Sequence, residues 1–210
     1  MRTDYSSGTA LAPALWPASV NPWVRNLLLV LIGVGLLTAS AKISVPFWPV
    51  PMTLQTFAIM FIAAAYGSRL GVATVVAYLA AGFAGIPVFA YAAAGPSYFL
   101  ATTGGFLIGF IAAAYIVGWA ADRGWDRSTL KIGAAMIVGD ATVFLLGFIW
   151  LAWFAHRFGD DGARLADGIG VASAWTYGVA NYLLGDALKI AIAALAVPAG
   201  WALLNKSRQL

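Results

Sequence analysis

Residues 181–204 read NYLLGDALKIAIAALAVPAGWALL, and their reading decides the class of the molecule. From Ala191 to Leu204 the stretch carries no charge. A bilayer core of about 30 Å is crossed by roughly 20 helical residues of this kind. Yet Asp186 and Lys189 stand in the same run, three residues apart. Each costs roughly 2.5–3.5 kcal/mol at the centre of an inserted helix, so something must offset the cost. At i and i+3 the two share one helix face, and Tyr182, four residues before Asp186, lies on it too. Ionisable residues at such depth face a bundle interior or an aqueous cavity and mark a ligand or ion path. A buried intrahelical ion pair, or a pairing with Asp140 about 15 Å along the preceding helix, is the purely structural reading of the same residues.

The whole chain has the composition of that stretch. Of its 210 residues 62% are apolar and 10% charged, and there is no glutamate. Soluble domains average about 25% charged residues. The long continuous apolar runs exclude a β-barrel, whose strands alternate in short segments. The fold class is therefore an all-α integral membrane protein. Cysteine is absent and His156 is the one histidine, which removes disulfides, thiolate nucleophiles and histidine-rich metal sites. No cofactor and no metal are expected. The net charge of +4 is small and spread over the loops, a membrane-topology signal and not a nucleic-acid surface.

Apolar runs fall near 24–43, 53–67, 69–85, 104–121, 130–155 and 174–204, which predicts six spans in one bundle. With the N-terminus inside, the inner segments hold eight basic residues: Arg2, Arg25, Arg69, Arg123, Arg127, Lys131, Lys206 and Arg208. The outer segments hold three, Lys42, Arg157 and Arg164. This bias predicts that both termini are cytoplasmic. Seven of the nine tryptophans fall at or near span ends, where indole prefers to sit. The expected organisation is a flexible cytoplasmic segment over 1–22, a membrane domain over 23–205 and a cytoplasmic tail over 206–210.

Two outer connections are unlike ordinary loops. SVPFWPVPMT (44–53) has three prolines, and IPVFAYAAAGPSYFLATT (86–103) is long, aromatic and uncharged. Irregular backbone of this composition suits the cover of a cavity at membrane depth. The connection HRFGDDGARLADGIG (156–170) is charged in the ordinary way. Small residues recur at four-residue spacing: Gly35 and Ala39; Ala73, Ala77 and Ala81; Gly105, Gly109 and Ala113. Such faces let helices approach closely, within the bundle or against a partner.

Motifs of catalysis are missing. No glycine precedes a lysine in the manner of a phosphate-binding loop, so this chain does not hydrolyse ATP. DGAR (161–164) lacks the later aspartates of a phosphatidyl-alcohol transferase, and His156 lies at a span end, unsuited to an intramembrane serine protease. The chain reads as a non-enzyme.

Several segments occur in a telling order: KISVPFWPVPMTLQTFAIM (42–60), YGSRLG (66–71), GIPVFA (85–90), TTGGFLIGF (102–110) and GDALK (185–189). Together they resemble the BioY family, the biotin-binding S components of energy-coupling factor (ECF) transporters, over about 42–195. The chain departs from that pattern at Ala101, Thr102 and Thr103, where the family usually has Gly-Pro-Thr. It departs again at Asn181 and Leu184, near which prolines are common.

The resemblance implies a six-helix protein of a prokaryotic cell membrane. Such a protein captures biotin from outside and hands it to a membrane coupling subunit with two ATPase subunits. It also implies that Asp186 and Lys189 contribute to the biotin pocket. The chemistry agrees: a carboxylate accepts ureido N–H bonds, and an ammonium neutralises a carboxylate or binds a carbonyl. Tyr78, Phe89, Tyr98 and Tyr182 are candidates to pack the apolar body of the ligand. The rival reading is a self-sufficient, proton-coupled transporter of a small carboxylate-bearing vitamin, with Asp140 or Asp186 as proton site.

Overall fold

The computed structural model describes residues 10–17, 19–158 and 171–207. The charged connection expected over 156–170 lies outside the described residues from 159 onward, as do residues 1–9 and Arg208. In chain order the elements are α1 (Leu11–Ala14), α2 (Pro22–Lys42), a ribbon of β1 (Ser44–Val45) and β2 (Met52–Thr53), α3 (Gln55–Phe83), α4 (Pro96–Leu100), α5 (Gly104–Asp122), α6 (Thr129–Phe158), α7 (Val171–Trp175) and α8 (Leu183–Ser207). Among the described residues five helices are long and apolar enough to cross a membrane.

Where the sequence predicts two separate spans over 53–67 and 69–85, the structure has the single 29-residue element α3, doubled back on itself. The reversal takes one residue. Gly67 adopts φ 78° and ψ 176°, a region essentially reserved for glycine. A Cβ at Gly67 would also stand 2.3 Å from Asp122 Oδ1. Asp122, at the end of α5, accepts hydrogen bonds from the Ser68 amide (3.2 Å) and the Ser68 hydroxyl. It thereby caps the N-terminus of the second half, where negative charge is favoured. The halves, 55–66 and 68–83, are antiparallel. Gln55 Nε2 donates to Tyr78 Oη at 2.8 Å, although a straight helix would separate the two residues by about 35 Å.

The core is built around this hairpin, with Ile59, Met60, Ile62 and Val75 packed among Leu37, Val117, Ile132, Met136 and Val143. The Gly105–Gly109–Ala113 face is spent inside the bundle. A Cβ on Gly109 would come within 2.7 Å of Val143 Cα, so α5 and α6 touch backbone to backbone. The perimeter is the reverse of a soluble protein's. Leu27, Leu31, Ile32 and Leu36 on α2, Ile137 and Leu145 on α6, and Leu184, Leu188 and Leu195 on α8 are all exposed. Water would not tolerate so large an apolar surface, whereas lipid solvates it.

The start of α2, the Gly67 reversal, the 122–129 connection and the end of α8 share one end of the bundle. Arg25, Arg69 and Asp122 line one depression there. Trp201 Nε1 donates to Asp126 Oδ2 at 2.5 Å. Residues 10–14 lie against the bundle at this end. Leu11 and Ala14 are buried, because Leu11 fills the space left by Gly200 on α8.

Candidate functional site

The opposite end is organised around the start of α8. A wide π-helical turn over Thr176–Ala180 precedes it, a feature common at functional sites. Tyr182 O accepts from the Asp186 amide at 2.9 Å, which winds the first turn of α8 around Asp186. The positive end of the helix dipole then favours the carboxylate at that position. Asp186 is 4% exposed.

Lys189 Nζ donates to Asp186 Oδ1 at 2.6 Å, to Thr53 O at 2.6 Å and to Thr56 Oγ1 at 3.2 Å. All three protons of the ammonium are thereby used. Thr56 Oγ1 also lies 3.1 Å from Asp186 Oδ1. The hydrogen bonds found on the Asp186 side chain both fall on Oδ1. The structure thus meets the cost of burying two charges by pairing them and giving the ammonium two further acceptors.

The 44–53 connection straps over this pair. Ser44 pairs with Thr53 and Val45 with Met52, so residues 46–51 form the tip of a short ribbon. Tyr182 Oη donates to Val50 O, and Thr102 Oγ1 donates to Pro49 O at 3.1 Å. The tip is thus tied to Tyr182, just before α8, on one side and to the 86–103 connection on the other. That second connection is itself anchored: Lys42 Nζ donates to Pro87 O (2.7 Å) and Phe89 O (2.6 Å), and Trp150 Nε1 donates to Ala101 O (2.8 Å).

Between the straps and the helices is a small cavity of about 60 Å³. Asp186 and Lys189 are its charged groups. Thr53, Gln55, Thr56 and Thr103 add neutral polar groups, and Phe106, Phe110 and Phe144 give apolar walls.

Four of the six residues singled out from the sequence line this cavity: Asp186, Lys189, Tyr182 and Tyr98. Tyr78 and Phe89 are not in the lining; they are fully buried one layer behind it. Phe89 stacks on Tyr98 with centroids 4.6 Å apart, and Tyr78 meets Phe89 edge-on at 5.4 Å. Tyr78 Oη accepts from Gln55 and donates to Val88 O at 3.1 Å. Both residues support wall residues without facing the cavity. Sequence reasoning did not single out Thr53, Gln55 and Thr56. The signal was present in MTLQT (52–56), a cluster of neutral polar side chains at the mouth of an apolar run. Asp140 lies outside the lining, on α6 against the start of α8. It is buried, and its Oδ1 has no hydrogen-bond partner among the described residues.

Known proteins share this architecture. A crystal structure of the S component for biotin from an ECF-type ABC transporter superposes with a TM-score of 0.72, covering 87% of this chain and 94% of that one. At 20% identity this likeness speaks to the fold alone. The probable biotin transporter BioY of Pyrococcus horikoshii is 32% identical over 171 residues, covering 81% of this chain and 93% of that protein. The biotin transporter BioY of Thermotoga maritima is 30% identical over 172 residues, covering 82% and 93%. The sequence profile described as the BioY family matches residues 9–206. This chain belongs to the BioY family.

Proposed function

We propose that this chain is the biotin-capturing S component of an ECF-type importer. In this reading it is a transporter subunit without catalytic activity of its own, in a prokaryotic cell membrane. The observation that carries the reading is the Asp186–Lys189 pair, buried beside an otherwise uncharged cavity under two tethered loops. Biotin offers matching chemistry. Its ureido N–H groups suit the carboxylate, its carbonyl or carboxylate suits the ammonium, and its thioether body suits Phe106, Phe110, Phe144 and Tyr98.

The finer topology belongs to the same proposal. Residues 23–205 form the binding domain, with the two halves of α3 counting as two of six membrane segments and both termini cytoplasmic. The end carrying Arg25, Arg69, Arg123, Arg127, Lys131 and Lys206 then faces the cytoplasm. The cavity faces outward. Biotin enters there, and the 44–53 and 86–103 connections close over it, exchanging its water shell for the pair and the aromatic walls.

Inward release draws on a membrane coupling subunit and two ATPase subunits. Gly35 and Ala39 offer the docking face. Both are exposed on α2, and nothing lies within 4 Å of a Cβ at Gly35. Uptake of labelled biotin by a biotin-auxotrophic host tests this assignment. Uptake that requires the co-expressed coupling and ATPase subunits supports it. Uptake that ignores them and collapses with the proton gradient favours the self-sufficient carrier instead.

A further inference from the structure

We propose that the depression at the Gly67 end of the bundle binds the phosphate of an anionic phospholipid, with Arg25 and Arg69 as its cationic donors. The depression is open, about 550 Å³, and lies between the start of α2 and the reversal of α3. Arg25, Asn26, Tyr66 and Arg69 line it, with Ala10 and Pro13 as a further wall. The Tyr66 ring is held against α2, where a Cβ on Gly33 would stand 3.3 Å from its Cε2. This site is at the other end of the molecule from Asp186 and Lys189, and it stands whatever the cavity beside them holds.

The cations of the depression have no anion of their own. Arg25 Nε and Nη2 both donate to the neutral Asn26 side chain, at 3.2 Å each. Arg69 is exposed. Among the described residues neither guanidinium forms a salt bridge; the ion pair found is Lys189 with Asp186. Asp122 also lines the depression, but its Oδ2 accepts from the Ser68 amide and hydroxyl. Two cations against one anion leave one positive charge in excess, the complement of a phosphodiester. Guanidinium forks suit phosphate oxygens in particular, and basic pockets between membrane helices take anionic head groups.

The placement of the two arginines has no local explanation. They stand at the first turns of α2 and of the second half of α3, where the helix dipole disfavours a cation. A topological preference for basic residues at one membrane face brings them to this end, but not into one depression. The adjoining surface selects a lipid over a soluble phosphate compound. Leu28 and Ile32 follow Arg25 at i+3 and i+7, on the same face of α2, and both are exposed. They give acyl chains a track leading away from the headgroup. Trp23, 84% exposed, marks the interfacial level where indole prefers to sit.

The test is native mass spectrometry of the full chain, released from detergent with equal amounts of phosphatidylglycerol and zwitterionic phosphatidylcholine. Wild-type protein should retain phosphatidylglycerol in preference. Arg25→Gln and Arg69→Gln should each lower that retention roughly fivefold, and Lys131→Gln should leave it unchanged. Lys131 is exposed at the same end but outside the depression. Equal retention of the two lipids by wild type overturns the proposal. An equal loss in Lys131→Gln also overturns it, since the preference is then a matter of overall charge. Glycerol phosphate in large excess separates the two sources of phosphate. It should leave the bound lipid in place; displacement assigns the depression to a soluble phosphate compound and contradicts the lipid reading. Should the arginine variants fail to fold, the wild-type thermal midpoint decides. It should rise when phosphatidylglycerol is added to phosphatidylcholine vesicles, and an unchanged midpoint overturns the proposal.

Discussion

Two aspartates, Asp186 and Asp126, sit at opposite ends of this bundle, both buried to within 4% and 1% of full enclosure, and they do different work. Asp186 meets an ammonium and a threonine hydroxyl at the edge of a cavity, and the ammonium is also held by a loop carbonyl. Asp126 meets an indole N–H from α8, and its Oδ1 has no hydrogen-bond partner among the described residues. Arg127 lies over the same indole ring, 4.7 Å from its centroid. Asp126 therefore ties a connection to a helix. Asp186 is part of a charge pair whose further partners are Thr53 on the ribbon and Thr56 at the start of α3. Burial alone does not distinguish a binding group from a packing group; the company it keeps, and whether a cavity adjoins it, does.

Lys189→Ala gives the largest effect expected of that contrast. It leaves Asp186 buried without its cation, a change worth about 3 kcal/mol, so biotin affinity should fall on the order of 100-fold. Equilibrium binding on the purified protein measures it, and Asp186→Asn should act in the same direction. A loss of fold with no separable loss of affinity would place the Asp186–Lys189 pair in the structural class of Asp126.

Gly67→Ala should act the other way, on folding and not on affinity. A side chain at φ 78° beside Asp122 costs about 1–3 kcal/mol in backbone strain before the clash is counted. The yield of folded protein and its thermal midpoint should drop, while the surviving fraction binds as tightly as wild type. Tyr182→Phe is gentler. It removes the hydroxyl that donates to Val50 O, a bond worth about 1 kcal/mol. Faster biotin dissociation, by roughly fivefold, is expected in a pulse–chase experiment.

The smallest effect belongs to Asp126. Burial pushes its carboxyl above the usual carboxylate range, opposed by the Trp201 hydrogen bond and by Arg127. A raised value in the folded state means that the protonated form is favoured on folding. The stability it contributes is fully present below the ordinary aspartate range and is lost as pH rises through the raised value. Melting temperature should therefore decline gently with pH above that range, and Asp126→Asn should flatten the decline.

Much of this contrast was legible in the residues, for physical reasons. Charges in an apolar run stand out because lipid tolerates them so poorly, which is why GDALK pointed to the candidate site. The bundle was legible for the same reason, through the length of its apolar runs. The one-residue reversal at Gly67 was not, because hydropathy averages over a window and a lone glycine barely lowers it. YGSR marked the place without revealing that Asp122 would cap the second half from another helix. Tyr78 and Phe89 were chosen by position and chemistry. The order in which rings stack behind a wall depends on tertiary contacts that spacing does not encode. Thr56 was overlooked because a hydroxyl in a helix usually bonds its own backbone, whereas here it bridges Asp186 and Lys189.

The most direct test of the central claim is mass spectrometry of small molecules released from the purified protein, paired with titration of added biotin. The account predicts biotin in the released fraction of wild-type protein and its absence from Lys189→Ala prepared alongside. No released biotin, together with no binding of added biotin at micromolar concentration, would contradict it.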